Sequence, residues 1–125
     1  MIKANYLLLS EWITLDQITW LASVYNVLEK FQSPKFPFTV EKICMLSFFE
    51  RKEKDPSKYD IEYKLFNNDT LIKNDTVSVD FNEKIKHKRI TIFQGVEMNA
   101  PGELRLSIYH DWKEINRYVI ELEKV

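Results

Sequence analysis

A histidine and a carboxylate stand side by side once in this chain, at His110-Asp111, with Tyr109 before them and Trp112 after. An adjacent His and Asp can ligate a metal or shuttle a proton. An exposed aromatic pair can offer a platform to a sugar ring or a protein surface. Tyr109, His110 and Trp112 are therefore the candidate binding residues, and no residue is assigned a catalytic role. A plainer reading needs no chemistry: His110 ends a strand and Asp111 starts a turn. Trp112 either folds back over the end of the fold or stands in solvent, and the sequence leaves both open.

Other reactive groupings are sparse. The only glycines are Gly95 and Gly102, which excludes the P-loop and the dinucleotide fingerprint. The second histidine, His87, lies in the basic run Lys84-Ile85-Lys86-His87-Lys88-Arg89. That run could meet phosphate. The whole chain, however, balances 18 basic against 19 acidic residues for a formal charge of −1, which is no nucleic-acid footprint. The run reads instead as the solvated start of a strand. The one cysteine, Cys44, excludes an internal disulfide framework and sits in the apolar run Ile43-Cys44-Met45-Leu46 as a buried thiol. Two histidines and one cysteine fall short of the four ligands of a structural zinc site. Asp69 and Asp75 could approach each other in loops, but no dense carboxylate loop offers calcium its oxygens. No serine or cysteine lies in a nucleophile-elbow pattern. The expectation is a protein without enzymatic activity, metal or cofactor.

The elements that must position these residues read as strands. Leu104, Leu106 and Ile108 alternate with Arg105, Ser107 and Tyr109, and Tyr118, Ile120 and Leu122 alternate with Val119, Glu121 and Glu123. Successive strand residues point to opposite faces, so each run buries one side. The two runs form a closing hairpin with a polar turn from Asp111 to Glu114, and Pro101-Gly102 turns the chain into it.

Upstream, residues 4–15 form a first strand around Tyr6-Leu7-Leu8-Leu9, extended or bulged at Trp12-Ile13. Asp16-Gln17 breaks it, and Ile18 to Val27 resumes. Leu15, Ile18, Trp20, Leu21, Val24, Tyr25 and Leu28 also fit a helical stripe, but β-branched and aromatic residues favour strands. Gln32 to Pro37 is a loop, since two prolines three apart suit neither a helix nor a central strand. Phe38 to Phe49 is apolar on both faces and belongs in the middle of a sheet, and Glu50 to Lys58 is a charged surface loop. Tyr59 to Phe66 is a half-buried strand turned by Asn67-Asn68-Asp69-Thr70. Leu71-Ile72 and Val77 to Phe81 follow, with an interruption at Lys73-Asn74-Asp75, and then Ile90 to Met98. The pattern predicts an all-β chain: an antiparallel, Greek-key-like β-sandwich of about seven to eight strands, one domain over residues 1–125.

The apolar run near Met1 is too short for a signal segment or a membrane span, so a cytoplasmic protein is expected. Asn68-Asp69-Thr70 and Asn74-Asp75-Thr76 match the glycosylation pattern, but turn chemistry accounts for the first equally well.

Several stretches resemble a family of small uncharacterised bacterial proteins, a domain of unknown function with a β-sandwich fold. They are Ala4-Asn5-Tyr6-Leu7-Leu8-Leu9-Ser10-Glu11, Asp16, Phe36-Pro37, and Ala100-Pro101-Gly102-Glu103-Leu104-Arg105-Leu106. Many members carry a glycine where this chain has Ala22-Ser23, so its second strand is expected to bend differently. The resemblance implies the fold and brings no activity or site residues. Three functions are compatible with these readings. The first is a protein-interaction module binding a protein partner or its own copies, with no nucleic acid and no membrane. The second is a carbohydrate- or small-ligand-binding sandwich using Trp112 and Tyr109. The third is a hydrolase or metal enzyme centred on His110 and Asp111.

Overall fold

The computed structural model describes residues 1–125 and contains nine strands and no helix. These are β1 (Lys3–Leu15), β2 (Ala22–Val27), β3 (Lys30–Ser33), β4 (Phe38–Glu50), β5 (Lys58–Asn67), β6 (Thr70–Asp80), β7 (Lys86–Met98), β8 (Gly102–His110) and β9 (Lys113–Lys124). They form a four-stranded sheet in the order β2-β1-β4-β7 and a five-stranded sheet in the order β3-β9-β8-β5-β6. The chain crosses between sheets from β2 to β3, from β3 back to β4, from β4 to β5, from β6 to β7 and from β7 to β8. That is the Greek-key connectivity of an immunoglobulin-like sandwich.

The all-β sandwich expected from the alternation is present, with three differences. There is one strand more than the seven to eight expected, because Gln32 and Ser33 are not loop. They belong to β3, a short strand that pairs with β9. That pairing is parallel, whereas every other ladder is antiparallel. Four residues ending just before Pro34 leave too little alternation to read as a strand. The second strand begins at Ala22 and not at Ile18. Lys73-Asn74-Asp75 does not interrupt β6, because all three pair with β5, and the one irregularity in that ladder falls beside them at Ile72.

Between the sheets lies one core of 21 buried residues, including Leu9, Ile43, Met45 and Phe49 from the first sheet and Ile61, Leu65, Leu104, Leu106 and Ile120 from the second. Alternation on β4 sends Ile43, Met45 and Phe49 inward, so Cys44, Leu46 and Phe48 point out of the sandwich. These outward residues belong to a second, smaller apolar cluster with Ile13, Leu8, Val24 and Ile90. This is why β4 reads apolar on both faces. It is central in its sheet, between β1 and β7, and is covered on both sides.

The cover for the outer cluster is the end of the first hairpin. β1 pairs with β4 only as far as Ser10 opposite Cys44, and from Trp12 to Leu15 it pairs with β2 alone. Freed from β4, this hairpin folds over the outer face of the four-stranded sheet. There Ile13 packs on Cys44 and Leu46, and the Cys44 thiol donates to the Glu11 carbonyl at 3.6 Å. The thiol is free and buried.

Candidate functional site

His110 pairs with Lys113, leaving Asp111 and Trp112 as a two-residue turn with φ of 50° and 66°. Positive φ at both positions is the type I′ geometry whose twist matches the flanking strands. It is an unfavourable backbone for a tryptophan. Trp112 does not fold back over the sandwich: it is 93% exposed. The three candidate residues do not converge. Tyr109 lies on the outer face, where the Lys64 ammonium sits 5.0 Å from its ring centroid. His110, the next residue, turns the other way and meets Tyr59 edge-on at 5.2 Å. Its imidazole is 3.6 Å from the Asp111 carboxylate, and no three His, Cys, Asp or Glu side chains are placed to hold a metal ion. Tyr109, Trp112, Asp60, Glu62 and Asp111 border a shallow depression of about 200 Å³.

The two histidines are linked through the core. His110 meets Tyr59, Tyr59 meets Phe81 at 5.9 Å, and Phe81 meets His87 at 5.8 Å. His87 also lies against Phe49. The basic run is thus the solvated start of a strand as expected, with an aromatic-packed imidazole inside it. Burial, reinforced by the positive charge of Arg89, holds the His87 pKa below the ordinary 6.5. Arg51, itself buried, fixes the approach to this strand: its Nε–H donates to the Lys84 carbonyl at 2.8 Å.

The Pro101-Gly102 turn is a scaffold. The Asn67 amide donates to the carbonyls of Ala100 and Glu103, and its oxygen accepts from the N–H groups of Asn99 and Ala100. Asn68 donates to the Pro101 carbonyl and accepts from the Glu103 N–H. The first glycosylation-like pattern is therefore turn chemistry.

Sequence reasoning missed the most exposed apolar surface. Fifteen large apolar side chains stand exposed, and seven of them fall between Trp12 and Val27. They are Trp12, Leu15, Ile18, Trp20, Leu21, Tyr25 and Val27, with Ile18 at 90% and Trp20 at 65%. Scattered exposed apolar residues are ordinary, but clusters mark contact surfaces. The connection that holds them is well built. The Asp16 carboxylate accepts from the N–H groups of Ile18 and Thr19, both at 2.8 Å. The Trp20 N–H returns to the Asp16 carbonyl, and the Asp16 N–H donates to the Leu21 carbonyl. These hydrogen bonds, from Thr19 first and then Ile18, hold the Asp16 carboxyl below its ordinary pKa.

Beside this surface lies the edge strand β2, whose backbone turns left-handed at Asn26, with a φ of 56°. An outermost strand exposes backbone donors and acceptors, and proteins blunt such edges with charge, proline, bulges or shortness. β7 carries Lys86, Lys88 and Arg89, β6 carries Lys73, Asp75 and Asp80, and β3 is four residues long. β2 is Ala22-Ser23-Val24-Tyr25-Asn26-Val27, with no charge and no proline. That absence was the signal available in the sequence.

No family model matches the chain, and no curated protein matches it by sequence. Solved structures do resemble it in fold. The alkylpurine DNA glycosylase AlkC of Pseudomonas fluorescens, solved with DNA containing an abasic-site analogue, superposes with a TM-score of 0.54 at 10% identity over 98% of this chain. An immunoglobulin-like protein of Pseudomonas aeruginosa gives 0.47 at 7% identity over 98% of this chain and 96% of its own. A β-glucosidase of Listeria innocua gives 0.48 at 8% identity over 98% of this chain. The chain spans 30% of the glycosylase and 16% of the glucosidase. The glycosylase likeness supports the sandwich fold and nothing beyond it. No helix of the chain is long and apolar enough to cross a membrane.

Proposed function

We propose that this chain is a non-enzymatic protein-interaction and assembly module of bacterial type that works in the cytoplasm. In this reading its working surface is the first hairpin and its edge strand β2, and not the last hairpin. The observation that carries the reading is the uncharged, proline-free edge β2 lying beside the cluster of exposed apolar side chains. Strand addition uses such an edge: main-chain hydrogen bonds supply affinity, and side chains on alternate positions supply selectivity.

The occupant we propose is β2 of a second copy. An antiparallel pairing about a two-fold axis brings the same strand against itself, and β2 has no charge to repel its copy. Tyr25 and Val27, about half exposed, would lose water in that contact. Sedimentation equilibrium over a range of concentrations tests this, with Tyr25→Lys and Val27→Lys as the variants that should stay monomeric. Membership of the uncharacterised bacterial sandwich family is part of the same proposal.

A second reading has one observation in its favour. Trp112, Tyr109 and three carboxylates border one depression, a composition suited to sugar hydroxyls over an aromatic face. Trp112→Ala measured against a glycan array tests it, and an array with no hits ends it.

A further inference from the structure

Where the hairpin crosses the outer face of the first sheet it encloses a cleft of about 490 Å³. Its apolar walls are Leu15 and Trp20 from the hairpin and Phe48 and Ile90 from the sheet, and Lys84, Lys86, His87 and Lys88 complete the lining. The size and the mostly apolar lining with a few polar groups are those of a small-molecule site.

Two further observations concern what the cleft would hold. The first is charge. None of the three lysines is in an ion pair, although the chain as a whole carries one negative charge. The carboxylate opposite Lys86 in the ladder, Glu50, is engaged by the Asn5 amide at 2.6 Å. Lys88 is turned to structural use: its ammonium donates to the Trp20 carbonyl at 2.7 Å and lies 5.3 Å from the Phe48 ring centroid. Lys84 and Lys86 make no side-chain hydrogen bond or ion pair and keep their donors for a ligand. The second is strain. Trp20 sits at a φ of 61°, a left-handed backbone that is unfavourable for a bulky L-residue. Its N–H is tied to Asp16 and its carbonyl to Lys88, so the strained backbone is held from both sides. The indole is thereby kept as a wall of the cleft although it is largely exposed. Strain maintained by surrounding contacts is a mark of a working position.

We infer that this cleft binds an organic anion with an aromatic or acyl body. The anionic head is taken by Lys84 and Lys86, and the apolar body lies on Phe48 and Ile90 against Trp20. Arg51, through the Lys84 carbonyl, is a positioning residue for the head group. The inference rests on the cleft and not on the β2 edge, so it stands or falls apart from the assembly reading.

The probe is 8-anilinonaphthalene-1-sulfonate, an aryl anion, titrated by fluorescence against the folded full chain. Its uncharged relative N-phenyl-1-naphthylamine serves as the comparison, and decanoate and inorganic phosphate serve as competitors. The expected result is one saturable site that decanoate empties and phosphate alone does not. Lys84→Glu/Lys86→Glu should weaken sulfonate binding about tenfold or more while leaving the uncharged dye and the thermal midpoint in place. Trp20→Ala should weaken both dyes, and Tyr25→Lys/Val27→Lys should change neither. Sulfonate binding that survives the double charge reversal, or that disappears with the Tyr25 and Val27 changes, overturns the inference, because the dye would then be reading the exposed β2 surface. Absence of saturable binding overturns it too.

Discussion

The ammonium of Lys88 and the main-chain oxygen of Trp20 meet at 2.7 Å, joining the tip of the first hairpin to the edge strand β7 across the outer face of its sheet. The hairpin touches the sheet through Ile13 on Cys44 and Leu46, through the Cys44 thiol on the Glu11 carbonyl, through the Lys42 ammonium 3.5 Å from the Trp12 ring centroid, and through this charged hydrogen bond. Lys88→Met removes the donor while keeping an apolar stem. We expect a stability loss of about 0.5–1 kcal/mol, since the pair is exposed. Amide exchange should quicken in residues 16–22 while the core strands keep their protection. Unchanged exchange at the tip would mean that the packing around Ile13 and Trp12 holds the hairpin without this bond.

Gly102 and Asn67 govern the turn that starts β8. Gly102 has a φ of +134°, and a Cβ there would meet the Asn68 side-chain oxygen at 2.1 Å. Gly102→Ala combines strain with a clash and should cost about 2 kcal/mol or more. Asn67→Ala strands four main-chain partners around a buried site and should cost about 2–4 kcal/mol. Urea denaturation of both variants measures this. A midpoint within error of the parent's would refute the role given to either residue.

Legibility followed side-chain periodicity. Where one face is buried and the other wet, as along Tyr59 to Phe66 and Leu104 to Tyr109, the strand and its inward residues could be read directly. β3 escaped because four residues beside a proline carry no period, and its partner β9 lies about ninety residues away in sequence. The exposed apolar surface escaped for a related reason. Ile18, Trp20 and Leu21 look like core residues because apolar type reports burial only on average. Only the three-dimensional path shows that the sheet has already turned away from them. Trp112 was legible as a turn residue but not as an exposed one, since a tryptophan at positive φ is uncommon.

Acid should weaken the fold through His87. Its folded pKa lies below 6.5 because burial, and then Arg89, disfavour the imidazolium. As the pH falls through 6.5 the unfolded chain takes up a proton that the folded chain does not, so stability declines until folded His87 itself protonates. Above that window both states are neutral and the contribution is flat. His87→Phe, which keeps an aromatic ring between Phe49 and Phe81, should flatten this part of the stability profile. Denaturation midpoints on either side of pH 6.5 for parent and variant give the slope. Equal slopes would refute the assignment.

Trp112 should be dispensable for folding. A glycine accepts the φ of 66° without strain and suits the second position of a type I′ turn. Trp112→Gly should therefore leave stability unchanged or raise it by about 0.5–1 kcal/mol. A clear loss, measured by thermal melting, would show that the indole supports the fold in spite of its exposure.

The central claim is that β2 and the apolar side chains beside it are a contact surface, and sedimentation equilibrium tests it most directly. The account predicts a monomer–dimer equilibrium for the parent, a monomer at all concentrations for Tyr25→Lys/Val27→Lys with a cooperative melt that no longer depends on concentration, and a dimer for Trp112→Gly. A parent chain that stays monomeric at high concentration, or a dimer that survives the Tyr25 and Val27 substitutions, would contradict it.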